Sequence, residues 1–157
     1  MLVKAFCTFV RPTLEYCSVV WSPGFKKDIH RLEAVQRRFT NRLAGLHNMS
    51  YWDRLDYLNW DSLYNRRIKS DLLMTNKILN GQVDVEGSAL FSKQVFETVT
   101  RGNDAKLYKT RVYSVRDGNY FSNRVINLWN SLPSHVVSAS SAGAFKRKLQ
   151  SLGYHSM

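Results

Sequence analysis

Residues 63–79 read LYNRRIKSDLLMTNKIL, and this stretch decides the fold. Placed at about 100° per residue, its apolar side chains cover about half of the helix circumference, whereas a surface helix needs a stripe of only about 100°. We therefore predict a central helix that several other elements cover. Asp61 or Ser62 is placed to cap its start. Asn80-Gly81 is expected to end it, because glycine adopts the left-handed conformation without steric cost.

Two charged side chains fall inside the apolar arc of this helix. Arg67 and Asp71 are four residues apart, and neither charge would be tolerated alone in a core. We expect each to pair with the other or with a group from a neighbouring element. The apolar residues Leu72 and Ile78 are expected to share one core with Trp129, which lies on a later helix.

The remaining sequence predicts a mostly α protein, an irregular helical bundle. Apolar periodicity indicates further helices at residues 1–21, 27–46, 51–58 and 121–132, and a last one that buries Phe145, Leu149 and Leu152 and ends at Gly153. Residues 107–115 are rich in β-branched and aromatic residues and break at Asp117-Gly118. That composition predicts a small β-hairpin-like element near residues 105–120. Leu90, Phe91, Val95 and Phe96 indicate one more apolar contact.

The first 21 residues are mostly apolar, which predicts a buried helix kinked near Pro12. A domain rarely begins with buried residues, so we expect more protein upstream and, without it, an exposed apolar patch. The helix at 51–58 is expected to start with Ser50 as its cap and Asp53 in the capping-box position. The side chains expected to hold that helix on the core are Trp52, Leu55 and Leu58.

One face of the predicted helix at residues 27–46 is basic. Its apolar side chains are expected to face the core: Ile29, Leu32, Val35, Phe39 and Leu43. A second arc about 60° wide carries four cations and no acid, and we call these residues the basic rail: Lys27, Arg31, Arg38 and Arg42. Four cations in a line fit a phosphate backbone, whose charges repeat along a line. The alternative is an ordinary solvated face with i,i+4 pairing.

Cations alternate with tyrosines in the later part of the chain. Arg101, Lys106, Lys109, Arg111 and Arg116 stand among three tyrosines, Tyr108, Tyr113 and Tyr120. Basic residues interleaved with aromatic ones can hold phosphates while the rings stack on bases. Tyrosines in strands serve equally often for packing, so that alternative stays open.

Composition agrees with a polyanionic partner. The 157 residues contain 23 Lys and Arg against 12 Asp and Glu, a net charge of +11, which favours nucleic acid over an anionic membrane surface. A solvated basic surface without a partner is the alternative. Cys7 and Cys17 form no CxxC pattern and are expected to be reduced core thiols of an intracellular protein. No stretch approaches the length of a transmembrane span, which needs about 18 consecutive apolar residues.

No catalytic or metal-binding pattern is evident. The four histidines, His30, His47, His135 and His155, have no second ligand at metal-site spacing. No nucleophile elbow or glycine-rich phosphate loop frames a serine. We therefore expect no cofactor and no metal.

Four stretches occur in the order found in one family. They are LVKAF, VRPTLEYC and VWSP within residues 2–23; LEAVQRR at 32–38; YNRR at 64–67 with Asp71-Leu72; and FSNRVINLWNSLP at 121–133. They resemble the region that follows the palm in jockey-type non-LTR (LINE-like) retrotransposon reverse transcriptases. The resemblance implies a thumb-like helical region at residues 1–80 and a basic C-terminal region at 81–157 packed on it as one compact unit.

The family's catalytic centre has no counterpart in these residues. Its polymerase site is a Tyr/Phe-x-Asp-Asp turn plus another aspartate, which hold two Mg²⁺ ions, and this sequence contains no Asp-Asp pair. The resemblance therefore implies a truncated remnant that grips an RNA, DNA or RNA–DNA hybrid backbone in the cytoplasm or nucleus and is no enzyme on its own. The alternative is an orphaned helical protein-interaction module without nucleic-acid function.

Overall fold

The chain is mostly helical in the computed structural model, which describes residues 1–92, 103 and 105–152. The described helices are α1 (Leu2–Ala5), a π-helical turn (Phe6–Val10), α2 (Arg11–Glu15), α3 (Lys26–Asn41), α4 (Tyr51–Leu58), α5 (Leu63–Leu79), α6 (Gly87–Leu90), α7 (Val115–Gly118), α8 (Phe121–Asn130), α9 (Ser134–Val137) and α10 (Ala142–Ser151). Two compact units divide within α5, residues 1–67 and 68–157. The mostly α fold class is confirmed.

Helix α5 has the predicted bounds and the predicted ends. The Ser62 hydroxyl accepts a hydrogen bond from the Asn65 amide at 3.1 Å, which is the cap that Asp61 or Ser62 was expected to supply. Gly81 has φ +64°, the left-handed conformation that ends the helix. Burial is more complete than the apolar arc predicts, because Asn65 and Asn76 on the polar half are also buried.

The first 21 residues are helical only to Glu15, and the prediction that they are buried is wrong. Pro12 is the second residue of α2, directly after the π-helical turn, and it has no N–H to donate to a carbonyl of that turn. Phe6 is the one apolar side chain of this stretch that is fully buried; its ring stacks on Phe39 at 4.1 Å. Six large apolar side chains of this stretch are exposed: Leu2, Phe9, Val10, Tyr16, Val20 and Trp21. Cys7 and Cys17 are free, but Cys17 is exposed rather than in the core.

Helix α3 buries a polar face instead of the predicted apolar one. Its three buried side chains are Glu33, Gln36 and Thr40. Val35 is exposed, and the other predicted core-facing residues are only half-buried: Ile29, Leu32, Phe39 and Leu43. The helix also ends at Asn41 rather than at Leu46, and Gly45 with φ +82° lies in the turn that follows.

Buried hydrogen bonds from α3 explain this reversal. The Glu33 carboxylate accepts the backbone N–H groups of Leu63 at 3.1 Å and Tyr64 at 3.2 Å, and it also accepts the Tyr51 hydroxyl. Gln36 donates to the Asp61 carbonyl at 3.1 Å. One glutamate thus satisfies the free amides at the start of α5, which an apolar side chain could not do.

Helix α4 starts with the predicted Ser50 cap, whose hydroxyl accepts the Asp53 amide at 3.2 Å. Leu55 is buried as expected, but Trp52 is 50% exposed. The buried arginine Arg54 replaces it as an anchor, because its guanidinium donates to the Thr40 hydroxyl at 3.2 Å and to the Asn41 side-chain carbonyl at 3.1 Å, both on α3. The prediction for Trp52 is therefore wrong.

The core of the unit at residues 68–157 contains the predicted trio Leu72, Ile78 and Trp129. Phe145 and Leu149 of α10 join the same cluster, as their spacing predicts. The other buried members are Phe91, Leu107, Val125, Ile126, Leu132, Val136 and Ala139. Val95, Phe96 and Gly153 lie outside the described residues.

The small β-hairpin near residues 105–120 is not confirmed. The described part of this segment contains no strand, only an isolated bridge at Leu107. Asp117-Gly118 belongs to the short helix α7, whose cap is the Ser114 hydroxyl. The physical reason is that Asn130 of α8 bonds both the N–H and the carbonyl of Leu107, at 2.9 Å each. A side-chain amide thus occupies the positions that a partner strand would take.

Candidate nucleic-acid interface

All four residues of the basic rail are exposed on the outer side of α3 and its C-terminal end. Arg42 is the C-cap, one residue past Asn41. Arg31 lies 3.9 Å from Asp28 in a surface ion pair, which is worth little in water. Within the described part of the chain, Lys27, Arg38 and Arg42 have no ion pair or hydrogen bond from their side chains. Three rail cations are thus available to an anion.

Arg37 is next to the rail in sequence but has a different role. Its guanidinium lies over the Tyr51 ring, 4.9 Å from the ring centroid. Such a contact contributes to packing as well as charge. Arg37 therefore belongs to the α3–α4 contact rather than to the rail.

A second exposed basic surface lies at residues 106–120, which we call the basic-aromatic segment. Lys109, Arg111 and Arg116 are exposed, and Lys106 is half-buried. The three tyrosines are at least half exposed: Tyr108 is 52% exposed, Tyr113 is 85% exposed and Tyr120 is 56% exposed. Arg101 lies outside the described residues.

Two cations of this segment have neighbours on the surface. Arg111 lies over the Tyr113 ring, 5.5 Å from the centroid. Arg116 lies 4.0 Å from Asp117, and its side chain is 85% exposed. Such an exposed pair is weak, so Arg116 can exchange this partner for a phosphate.

Helix α8 holds both ends of the basic-aromatic segment. At the start, Asn130 bonds the backbone of Leu107 as described above, and the Trp129 indole N–H donates to the Ala105 carbonyl at 2.8 Å. At the far end, Asn123 donates to the Asp117 carbonyl at 2.8 Å. Residues between these contacts include Tyr108, Lys109, Arg111 and Tyr113, all of which are exposed.

The anchoring role of Asn123 and Asn130 was not predicted from the sequence. The available signal was their number: three asparagines on one face of a ten-residue helix are unfavourable for helix formation and favour bonds to nearby backbone. A further asparagine, Asn103, is buried and donates to the Trp129 and Leu132 carbonyls at 3.1 Å each. It adds a donor to the carbonyls at and just after the end of α8.

The predicted structural residues each have a specific partner. Asp71 accepts two hydrogen bonds from Arg124, at 2.8 and 2.9 Å, in a bidentate pair. Arg67 donates to the Leu14 carbonyl at 2.7 Å, and its guanidinium lies 5.2 Å from the Trp21 ring centroid. Each charge thus has a partner from a neighbouring element, one of the two expected arrangements.

The described residues hold no group of three or more His, Cys, Asp or Glu side chains suited to a metal ion. Among the helices of that same part of the chain, none has the length and apolar character needed to cross a membrane. The candidate interface therefore consists of exposed cations and exposed aromatic rings. Comparison with known proteins adds no relative to this description: no protein-family model, no curated protein and no solved structure matches the chain.

Proposed function

We propose that the chain binds the backbone of RNA, DNA or an RNA–DNA hybrid through the basic rail and the basic-aromatic segment. In this proposal the chain corresponds to the thumb-like and C-terminal region of a jockey-type reverse transcriptase, and it acts in the cytoplasm or nucleus. The observation that carries the proposal is the set of exposed cations without strong acidic partners on α3 and at residues 106–120. Net charge of +11 supports it, because association with a polyanion is then favoured at long range.

Arg38→Ala is expected to weaken binding to duplex DNA and to an RNA–DNA hybrid alike, because phosphate contacts carry no sequence information. One lost contact should lower the slope of log affinity against log salt by about 0.7–0.9. Arg38→Lys should retain most of the binding, since charge and not bidentate geometry is needed. Fluorescence anisotropy at several salt concentrations measures both quantities.

Lys26→Ala is the matched control for this measurement. Lys26 is exposed on the same helix, but it lies about 120° around the axis and about 18 Å along it from Arg38. Both variants lose one positive charge. If Lys26→Ala and Arg38→Ala lose the same affinity, only overall charge matters, and the basic rail is rejected as a binding surface.

The chain is also expected to incorporate no nucleotide on a primed template with Mg²⁺ or Mn²⁺. Two-metal catalysis needs carboxylates that converge on adjacent ions, and Asp53, Asp56 and Asp61 are the nearest acidic grouping in the sequence. These three side chains form no group suited to a metal ion among the described residues. Primer-extension assays on a clean preparation measure this, and template-directed extension would contradict the proposal.

A second candidate function is protein binding, and the exposed apolar side chains of the first 21 residues favour it. Phe9 is 74% exposed and Val20 is 81% exposed, and large apolar side chains exposed within one short stretch are candidates for an interaction surface. Absence of salt-dependent nucleic-acid binding, together with strong binding of a hydrophobic dye, would favour this second function over the first.

A further inference from the structure

We propose that the basic-aromatic segment is a binding site for single-stranded nucleic acid, in which Tyr113 and Tyr108 stack on unpaired bases. This inference rests on the proposed nucleic-acid function and specifies its substrate at residues 106–120. The basic rail offers only charge. The basic-aromatic segment offers charge together with rings, and the two surfaces should therefore differ in the strands they prefer.

Exposure of the tyrosines is the first argument. Tyr113 is 85% exposed and Tyr108 is 52% exposed, although a large ring normally contributes to stability by being buried. Neither hydroxyl has a described hydrogen-bond partner in the chain. These rings therefore do little for the fold and are available to a ligand.

The neighbouring cations are the second argument. The Arg111 guanidinium lies over Tyr113 at 5.5 Å from the ring centroid, and at 85% exposure the ring has free surface elsewhere. A base that stacks on that ring would have Arg111 beside it, and Lys109, four residues before Tyr113, is exposed as a further cation of the segment. Stacking platforms inside a basic groove are the usual design of proteins that bind single strands without sequence preference.

The anchoring by α8 is the third argument. Asn130 fixes the backbone at Leu107, and Asn123 fixes it at Asp117. Binding therefore has less loop entropy to remove than it would for a free segment of the same length. The anchors are backbone contacts, so they leave the ring and cation side chains free.

The geometry distinguishes single strands from duplexes. In a duplex the base faces are stacked on one another, and a ring reaches them only by unstacking base pairs, which costs free energy. Phosphates, by contrast, are accessible in both forms. Tyr113 should therefore add affinity only for unpaired bases.

The test uses the full chain with three ligands of equal phosphate number: a 15-nucleotide oligothymidine, the same backbone with abasic sites, and a DNA duplex. We expect Tyr113→Ala to weaken oligothymidine binding about tenfold, within the range measured for loss of one stacked base. Binding to the abasic strand and to the duplex should change less than about twofold, since their phosphates are unaffected. Tyr113→Trp should retain or improve oligothymidine binding.

Tyr57→Ala is the matched control. Tyr57 lies on α4 and is 72% exposed. Its replacement by alanine removes the same kind of ring without altering the net charge. If Tyr57→Ala and Tyr113→Ala have equal effects, or if the wild-type chain binds the abasic strand as tightly as oligothymidine, the stacking site is rejected while backbone binding stands. If the wild-type chain binds none of the three ligands at low salt, the proposed function itself fails.

Discussion

Asp71→Ala should lower the free energy of unfolding of residues 68–157 by about 3–5 kcal/mol, the range for breaking a buried ion pair from one side. The Asp71 side chain is 6% exposed and the Arg124 side chain 13% exposed. Loss of the carboxylate would leave the Arg124 guanidinium buried without its bidentate partner, and the cost of that desolvated charge dominates. We expect the melting temperature to fall by about 10 °C for a chain of this size, as measured by thermal or urea unfolding.

Asp117→Ala is the control for charge. Asp117 is in the same unit, its side chain is 45% exposed, and it pairs with Arg116 at 4.0 Å. Its replacement by alanine should lower the free energy of unfolding by less than about 1 kcal/mol. The double variant Asp71→Ala with Arg124→Ala should lose less stability than the sum of the two single variants, because neither member of the pair is left buried without the other. An additive result, or equal losses for Asp71→Ala and Asp117→Ala, would contradict the importance of the pair.

Glu33→Ala should destabilise residues 1–67 by about 3 kcal/mol or more, since buried donors without acceptors cost about 1–3 kcal/mol each. Its carboxylate accepts the amides of Leu63 and Tyr64 and the Tyr51 hydroxyl, and Leu63 is completely buried. Glu33→Gln keeps one acceptor oxygen, so its free energy of unfolding should lie between those of the wild type and Glu33→Ala. Chemical unfolding monitored by circular dichroism measures the series.

Asp56→Ala is the control for loss of an acid from the same unit. Asp56 is exposed near the end of α4, so Asp56→Ala should change the free energy of unfolding by no more than about 0.5 kcal/mol. If Glu33→Ala were no worse than Asp56→Ala, the buried network around Glu33 would have no role in stability.

The same network predicts an alkaline loss of stability. Two effects raise the pKa of Tyr51 above its ordinary value of 10.0: burial is the larger, and the hydrogen bond to Glu33 is the second. The protonated phenol is favoured in the folded state, so its contribution is complete below about pH 10 and falls as the pH rises from there toward the folded pKa. Tyr51→Phe should flatten this part of the stability curve relative to wild type.

The sequence by itself determined the elements whose signals are local. The bounds of α5, the Ser62 cap and the left-handed Gly81 follow from residues within one turn of each helix end. The Ser50 cap of α4 has the same origin. Apolar periodicity likewise placed Leu72, Ile78 and Trp129 in one core, because burial of apolar side chains needs no particular partner.

Only the tertiary structure decided which polar side chains are buried. Glu33 finds its amide partners 30 and 31 residues away, and Asp71 finds Arg124 at a separation of 53 residues. A hydrogen bond is directional and needs a specific partner at about 3 Å, so hydropathy could not indicate that α3 buries Glu33 and Gln36 while Val35 is exposed. For the same reason Asn130 of α8, and not a second strand, binds Leu107 and leaves the basic-aromatic segment exposed.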